Sequence, residues 1–226
     1  MVAPTNRTFI GICDFRSERS VVRSARSGKK DPKKLLRTAR SLDSSDAKII
    51  QTSQVVVDKR VRLKCSVPMC SNYGRHLLCP PNIMSVDEFA SILRLYKRAI
   101  IVQIEANVDS SDRTGRPLDR DSCKELEERT GTRTWGLKLH RLINALETEA
   151  FKQGFYLSAG LIGNDCELCP ECVRPGSNEA CRHPFEARPS MQAMGIDVFR
   201  TCKNVGLPLS FSSEDKVRWT GLVLLD

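Results

Sequence analysis

Strands that alternate with helices along 226 residues, 40% of them hydrophobic, predict an α/β sandwich: a small mixed sheet with helices packed on it in two or three layers. The position of the cysteines sharpens this. Seven of the ten fall in two loops that each follow a strand, so irregular, ligand-bearing backbone is mounted on a rigid scaffold. Charge sets the domain boundary. Residues 1–45 hold 11 Lys/Arg against 4 Asp/Glu, which is most of the net +9, and read as a basic N-terminal arm ahead of a cysteine-rich domain at 46–226.

The elements follow in order. Within the arm, a short amphipathic helix is expected around Leu35 and Leu36. Residues 49–61 are rich in β-branched side chains, with Val55, Val56 and Val57 in a row, and read as a strand leading into the first cysteine loop. That loop, 65–84, carries Pro68, Gly74, Pro80 and Pro81 and is irregular. Ser85 and Glu88 have capping-box spacing, and Val86, Phe89, Ala90, Leu93 and Tyr96 continue a helix from it. Residues 99–104 form a buried strand, and 107–122 a polar surface loop. Trp135, Leu139, Leu142, Ile143, Leu146 and Ala150 recur near a 3.6 period, giving the longest helix, which stops near Gly154. Residues 155–162 make a strand that runs directly to Cys166. A short helix is expected over 190–195, and another from its Asp197 cap to Gly206. Residues 217–225 close the chain as a strand.

Chemistry rests on the cysteines. The first constellation is Cys65-x4-Cys70-x8-Cys79-Pro80-Pro81; the second is Cys166-x2-Cys169-x2-Cys172, with Cys181 nine residues on. Three thiols within seven residues let one loop wrap a corner of a cubane, each sulfur on a different iron, as in bacterial ferredoxins. Two other readings compete. Disulfides need an oxidising compartment, yet no apolar signal segment lies near Met1 and no apolar run is long enough to span a membrane. A cytoplasmic setting is therefore expected, although the Arg- and Ser-rich start also permits an organellar transit peptide. Structural zinc usually draws on two separated Cys-x2-4-Cys pairs, which three crowded thiols do not match, but spacing alone leaves zinc open.

The second constellation has four thiols and can saturate one [4Fe-4S] cluster. The first has three, so a cubane there keeps one position for an external ligand unless Cys181, Cys202, Cys123 or His76 fills it. Arg75 and His76 are the candidate catalytic residues, close enough in sequence to orient such a ligand or supply a proton. Lys64, Arg182 and Arg188 are further cations that an anionic substrate could use, and His183 could donate to a cluster. His140, Cys13, Cys123 and Cys202 read as packing residues. No P-loop, dinucleotide fingerprint or Ser/His/Asp order stands out.

These motifs, together with Arg60-Val-Arg-Leu-Lys-Cys65, Tyr73-Gly74-Arg75, Cys181-Arg182-His183-Pro184, Ala187-Arg188-Pro189-Ser190-Met191 and Met194-Gly195-Ile196-Asp197-Val198, resemble a prokaryotic family described as predicted metal-binding proteins (domain of unknown function 2284). The resemblance covers about residues 46–226. It implies metal binding through the seven cysteines and an anaerobe-style metabolism, and it names no reaction. The expected function is an iron–sulfur protein with one or two [4Fe-4S] clusters. It would act in electron transfer with a redox partner, or in reductive or Lewis-acid chemistry on a small substrate. The alternative is a zinc-stabilised binding module whose basic arm holds nucleic acid.

Overall fold

A computed structural model describes residues 30–107, 131–209 and 216–226. Helix α1 (Pro32–Ser41) is followed by strand β1 (Asp46–Gln51), a 3-10 turn (Thr52–Gln54), α2 (Lys59–Ser66), α3 (Val86–Leu93), β2 (Arg98–Asn107), α4 (Thr132–Lys152), β3 (Ala159–Leu161), α5 (Val198–Val205) and β4 (Lys216–Leu225). The strands lie in the order β1-β2-β4-β3, and all three ladders are antiparallel. One isolated parallel bridge joins Ile162 to Ser190.

The central strands are buried on both faces, and side-chain alternation sorts their residues between two cores. Ile100, Val102 and Ile104 of β2, with Val223 and Leu225 of β4, pack against Leu35 and Ala39 of α1 and Leu139, Leu142, Ile143, Leu146 and Ala150 of α4. Ala99, Ile101, Leu222 and Leu224 face the other way, onto Phe89 and Leu93 of α3, Cys202 of α5, Met191, Met194 and Ile196. The α/β class thus takes the three-layer form, with helices on both sides of one sheet. Close approach of α4 depends on Gly160: a Cβ there would stand 2.6 Å from Ile143 Cγ2 and from Glu147 Oε2.

Several boundaries differ from expectation. The strand expected over 49–61 begins at Asp46 and ends at Gln51, because the 3-10 turn redirects the chain. Val55 then enters the second core, and Val57 keeps a single bridge, to Ile196. The helix α2 was not foreseen. Its start is set by Asp58, whose carboxylate accepts from the Arg60 amide at 2.9 Å, and it buries no residue, so it carries no hydrophobic periodicity to read. The strand expected over 155–162 shrinks to three residues. Residues 190–195 form a turn closed by the Ile196 amide on the Met191 carbonyl at 2.9 Å, rather than a helix. The helix around Leu35 is present, with Leu35 and Ala39 fully buried. The polar loop after Asn107, and Cys13 and Cys123, lie outside the described residues.

Candidate metal centre

The first cysteine loop is built from short backbone bonds. Past α2 the chain reverses over Val67, Pro68 and Met69; Ser66 bridges Met69, and the Cys70 amide donates to the Cys65 carbonyl at 3.0 Å. Cys65 and Cys70 therefore sit on the two legs of one tight turn. The Gly74 amide donates to the Pro80 carbonyl at 2.8 Å, and the Cys79 amide to the His76 carbonyl at 3.2 Å, which folds Cys79 back over the loop. Asn82 Nδ2 locks the same His76 carbonyl at 2.9 Å. Cys70 is exposed, while Cys65 and Cys79 are half-buried.

The second loop leaves the sheet at β3. Its two ends meet at Ile162, whose amide donates to the Pro189 carbonyl at 3.0 Å and whose carbonyl accepts from the Met191 amide at 2.8 Å. Gly163 crosses close over β4: a Cβ there would lie 2.6 Å from the Thr220 carbonyl oxygen. Inside this closed excursion the Leu168 amide donates to the Cys166 sulfur, and the His183 amide approaches the Cys181 sulfur at 3.4 Å. Amides aimed at sulfur are how a protein tunes thiolate-bound iron. Arg182 Nη1 donates to the Glu171 carbonyl at 2.8 Å and ties the Cys181 segment to the Cys169–Cys172 turn.

The two loops are brought together. Asn72 Nδ2 donates to Asp165 Oδ2 at 2.7 Å, and the His76 ring donates to the backbone carbonyl of Cys166. Burial pushes the Cys79 thiol up to about 12, with the charges of Asp165, Cys70, Cys65 and Cys172 adding to it. Burial likewise pushes Cys166 up to about 11, against the Leu168 amide; Cys181, Cys172 and Cys169 add to the rise. Cys172 is thus felt from both sides. These neighbours divide the thiols into Cys65, Cys70 and Cys79, and Cys166, Cys169 and Cys181, with Cys172 between.

Such a set resists ionisation by itself, since crowded, part-buried thiolates repel one another. A bound cationic centre supplies the missing compensation, and this chemistry fits a metal. Among the described residues, no three His, Cys, Asp or Glu side chains group closely enough to hold a metal ion. A tetrahedral zinc site would need thiolates about 3.8 Å apart, given a Zn–S bond of about 2.3 Å. A cubane spreads its ligands over four irons and accepts a wider set.

Other candidates have different places. Cys202 is fully buried in the second core beside Gln103 and Thr220, as expected of a packing residue. Arg188 does not face the cysteines: its Nε donates to Glu147 Oε2 at 2.7 Å. His140 is buried with Nε2 donating to the Glu186 carbonyl at 2.8 Å. His183 pairs with Glu186 at 3.2 Å. Arg75 and Lys64 are exposed. Asn72 and Asp165, which join the loops, were not singled out from sequence. The only clue was that Asp165 directly precedes Cys166.

No helix among the described residues is long and apolar enough to cross a membrane. No curated protein and no solved structure matches the chain. The pattern of the family described as predicted metal-binding proteins (domain of unknown function 2284) matches residues 48–225, which include all seven clustered cysteines, and the chain belongs to that family.

Proposed function

We propose that the chain is an iron–sulfur protein that binds [4Fe-4S] clusters through Cys65, Cys70, Cys79, Cys166, Cys169, Cys172 and Cys181 and serves electron transfer, or reductive chemistry on a small substrate. One observation carries this reading: two loops distant in sequence are folded against each other, with Asn72 Nδ2 of the first donating to Asp165 Oδ2, beside Cys166 of the second, at 2.7 Å, which brings both cysteine runs to one junction. Seven thiols, three of them within one seven-residue turn, suit a polynuclear centre better than the two separated pairs that zinc usually draws on.

When bound, such a centre supplies one-electron redox chemistry and, at an iron without a protein ligand, Lewis acidity. The chain's own residues do the rest. The Leu168 and His183 amides stabilise charge on the Cys166 and Cys181 sulfurs. Exposure of Cys70 leaves a short path from solvent or a partner to the first loop.

Anaerobic purification followed by iron, acid-labile sulfide and zinc analysis tests the proposal. Iron and sulfide in equal amounts, about four or eight of each per chain, with a brown chromophore that dithionite bleaches, are expected. Stoichiometric zinc in a colourless, sulfide-free protein would replace it with the zinc-stabilised module.

A further inference from the structure

We infer that His76 is the fourth protein ligand, through Nδ1, of the metal centre held by Cys65, Cys70 and Cys79. This deepens the proposed function and rests on its metal reading. It closes the vacancy that a three-thiol loop leaves.

The supply of thiols argues first. Among the described residues, only Cys181 and Cys202 stand apart from the two runs and could cross over to the first loop. Cys181 lies with Cys166 and has its sulfur against the His183 amide. Cys202 is fully buried in the second core, next to Gln103 and Thr220. Cys172 lies near enough to act on the Cys79 thiol, but it belongs to the Cys166-x2-Cys169-x2-Cys172 turn, and the same sulfur is needed there.

His76 is placed where the ligand is needed. It sits between Cys70 and Cys79 and shares a turn with Cys79, whose amide bonds to the His76 carbonyl. Asp165, bonded to Asn72 of the first loop, acts on both the His76 ring and the Cys79 thiol, so both groups lie toward the junction of the loops. The backbone of His76 is held twice more, by its own amide on the Asn72 carbonyl at 3.2 Å and by Asn82 Nδ2.

The ring nitrogens then divide their roles. Nδ1 is buried without any hydrogen-bond partner. The Cys166 carbonyl accepts from the ring, which leaves Nε2 as the donor. A histidine that gives one N–H to a backbone carbonyl is fixed in orientation and tautomer, and its other nitrogen presents a lone pair. That is the arrangement found behind metal-bound histidines. A buried acceptor with no donor is otherwise an unexplained cost. Coordination explains it. Three thiolates and one imidazole saturate the first centre, which makes it an electron-transfer site rather than a Lewis acid.

The test uses the full chain, purified anaerobically, with His76→Ala and His76→Cys beside wild type. Pulsed electron paramagnetic resonance of the reduced protein should show a directly bound nitrogen in wild type that both variants lose. His76→Cys should keep the iron and sulfide of wild type and shift to a lower potential, because a thiolate replaces a neutral imidazole. Wild-type protein with its full iron but without nitrogen coupling overturns the inference and leaves the cluster reading intact, as does coupling that persists in His76→Ala. Should the metal be zinc, X-ray absorption at its edge decides: three sulfurs and one imidazole support His76, and four sulfurs or an oxygen ligand refute it. A chain that binds no metal removes the metal reading and this inference together.

Discussion

Between α4 and the segment that carries Cys181, Arg188 Nε donates to Glu147 Oε2 at 2.7 Å, and the same oxygen accepts from the Gly160 amide at 3.0 Å. Arg188 Nη1 and Nη2 also hold the carbonyls of Ala187 and Phe185. Both charged groups are about four-fifths covered, so the pair is more than a solvated surface bridge. Arg188→Ala leaves Glu147 short of its main donor, and urea unfolding should register a loss of about 1–3 kcal/mol. A midpoint unchanged from wild type would mean that the segment is held elsewhere. A cysteine substitution reads out differently. Cys169 shares its turn with Cys166 and Cys172, and cubane assembly needs its ligands together. Cys169→Ser should therefore lose iron and sulfide in parallel, about one cluster's worth, with the remaining fold intact by circular dichroism. Retention of all the iron with an unaltered spectrum would exclude Cys169 as a ligand. The clustering of the thiols in two loops was legible from spacing, most plainly in the two-residue gaps of Cys166, Cys169 and Cys172. The Asn72–Asp165 bond and the influence of Cys172 on the Cys79 thiol were not. They depend on how two loops about 90 residues apart in sequence meet, which no local pattern encodes.

At the level of elements, α1 lies wholly ahead of the residues the family pattern matches, yet it is seated in the first core. Asp31 caps it, accepting from the Lys33 amide at 3.0 Å, while the Asp31 amide donates to Gln153 Oε1 at 3.2 Å. Lys34 pairs with Glu149 of α4 at 2.6 Å. Leu35 is fully buried, so Leu35→Ala should cost about 2–5 kcal/mol, and a loss under about 1 kcal/mol would show that α1 is not seated there. The Lys34 hydrogen bond holds Glu149 below the usual carboxylate range. Its folded pKa is then lower than its unfolded one. This stability is present above the unfolded value and is lost as pH falls through the folded value. The melting-temperature gap between wild type and Lys34→Met should be widest near neutral pH and should close below about pH 4. A gap that does not vary with pH would assign the effect to the lysine's alkyl chain. Elements with a buried face were readable in advance: α4 and β2 announce themselves through apolar residues at their own periods. Helix α2 could not be, since a helix with no buried face leaves only its Asp58 cap as a signal.

For the molecule as a whole, the two cores and the cysteine loops are separable in composition. Cys202 lies inside the second core, but none of the seven clustered cysteines belongs to either core, and the sheet and its covering helices pack through apolar side chains that none of those seven supplies. The loops join this body through a few fixed points. The Asp58 amide donates to the Gly195 carbonyl at 2.8 Å, the Asp197 amide to the Val56 carbonyl at 2.8 Å, and Ile162 pins both ends of the second loop. Small zinc domains unfold without metal because the ion replaces a core, whereas this chain has its own. Anaerobic chelation should therefore release the loops and leave the sheet. Hydrogen exchange followed by mass spectrometry should show faster exchange over residues 60–84 and 163–189. Protection over 99–104, 139–150 and 220–225 should hold, because those amides open only with the global transition. Uniform loss of protection would mean that the metal holds the cores together as well. An unchanged pattern everywhere would mean that the backbone bonds of the loops suffice without it.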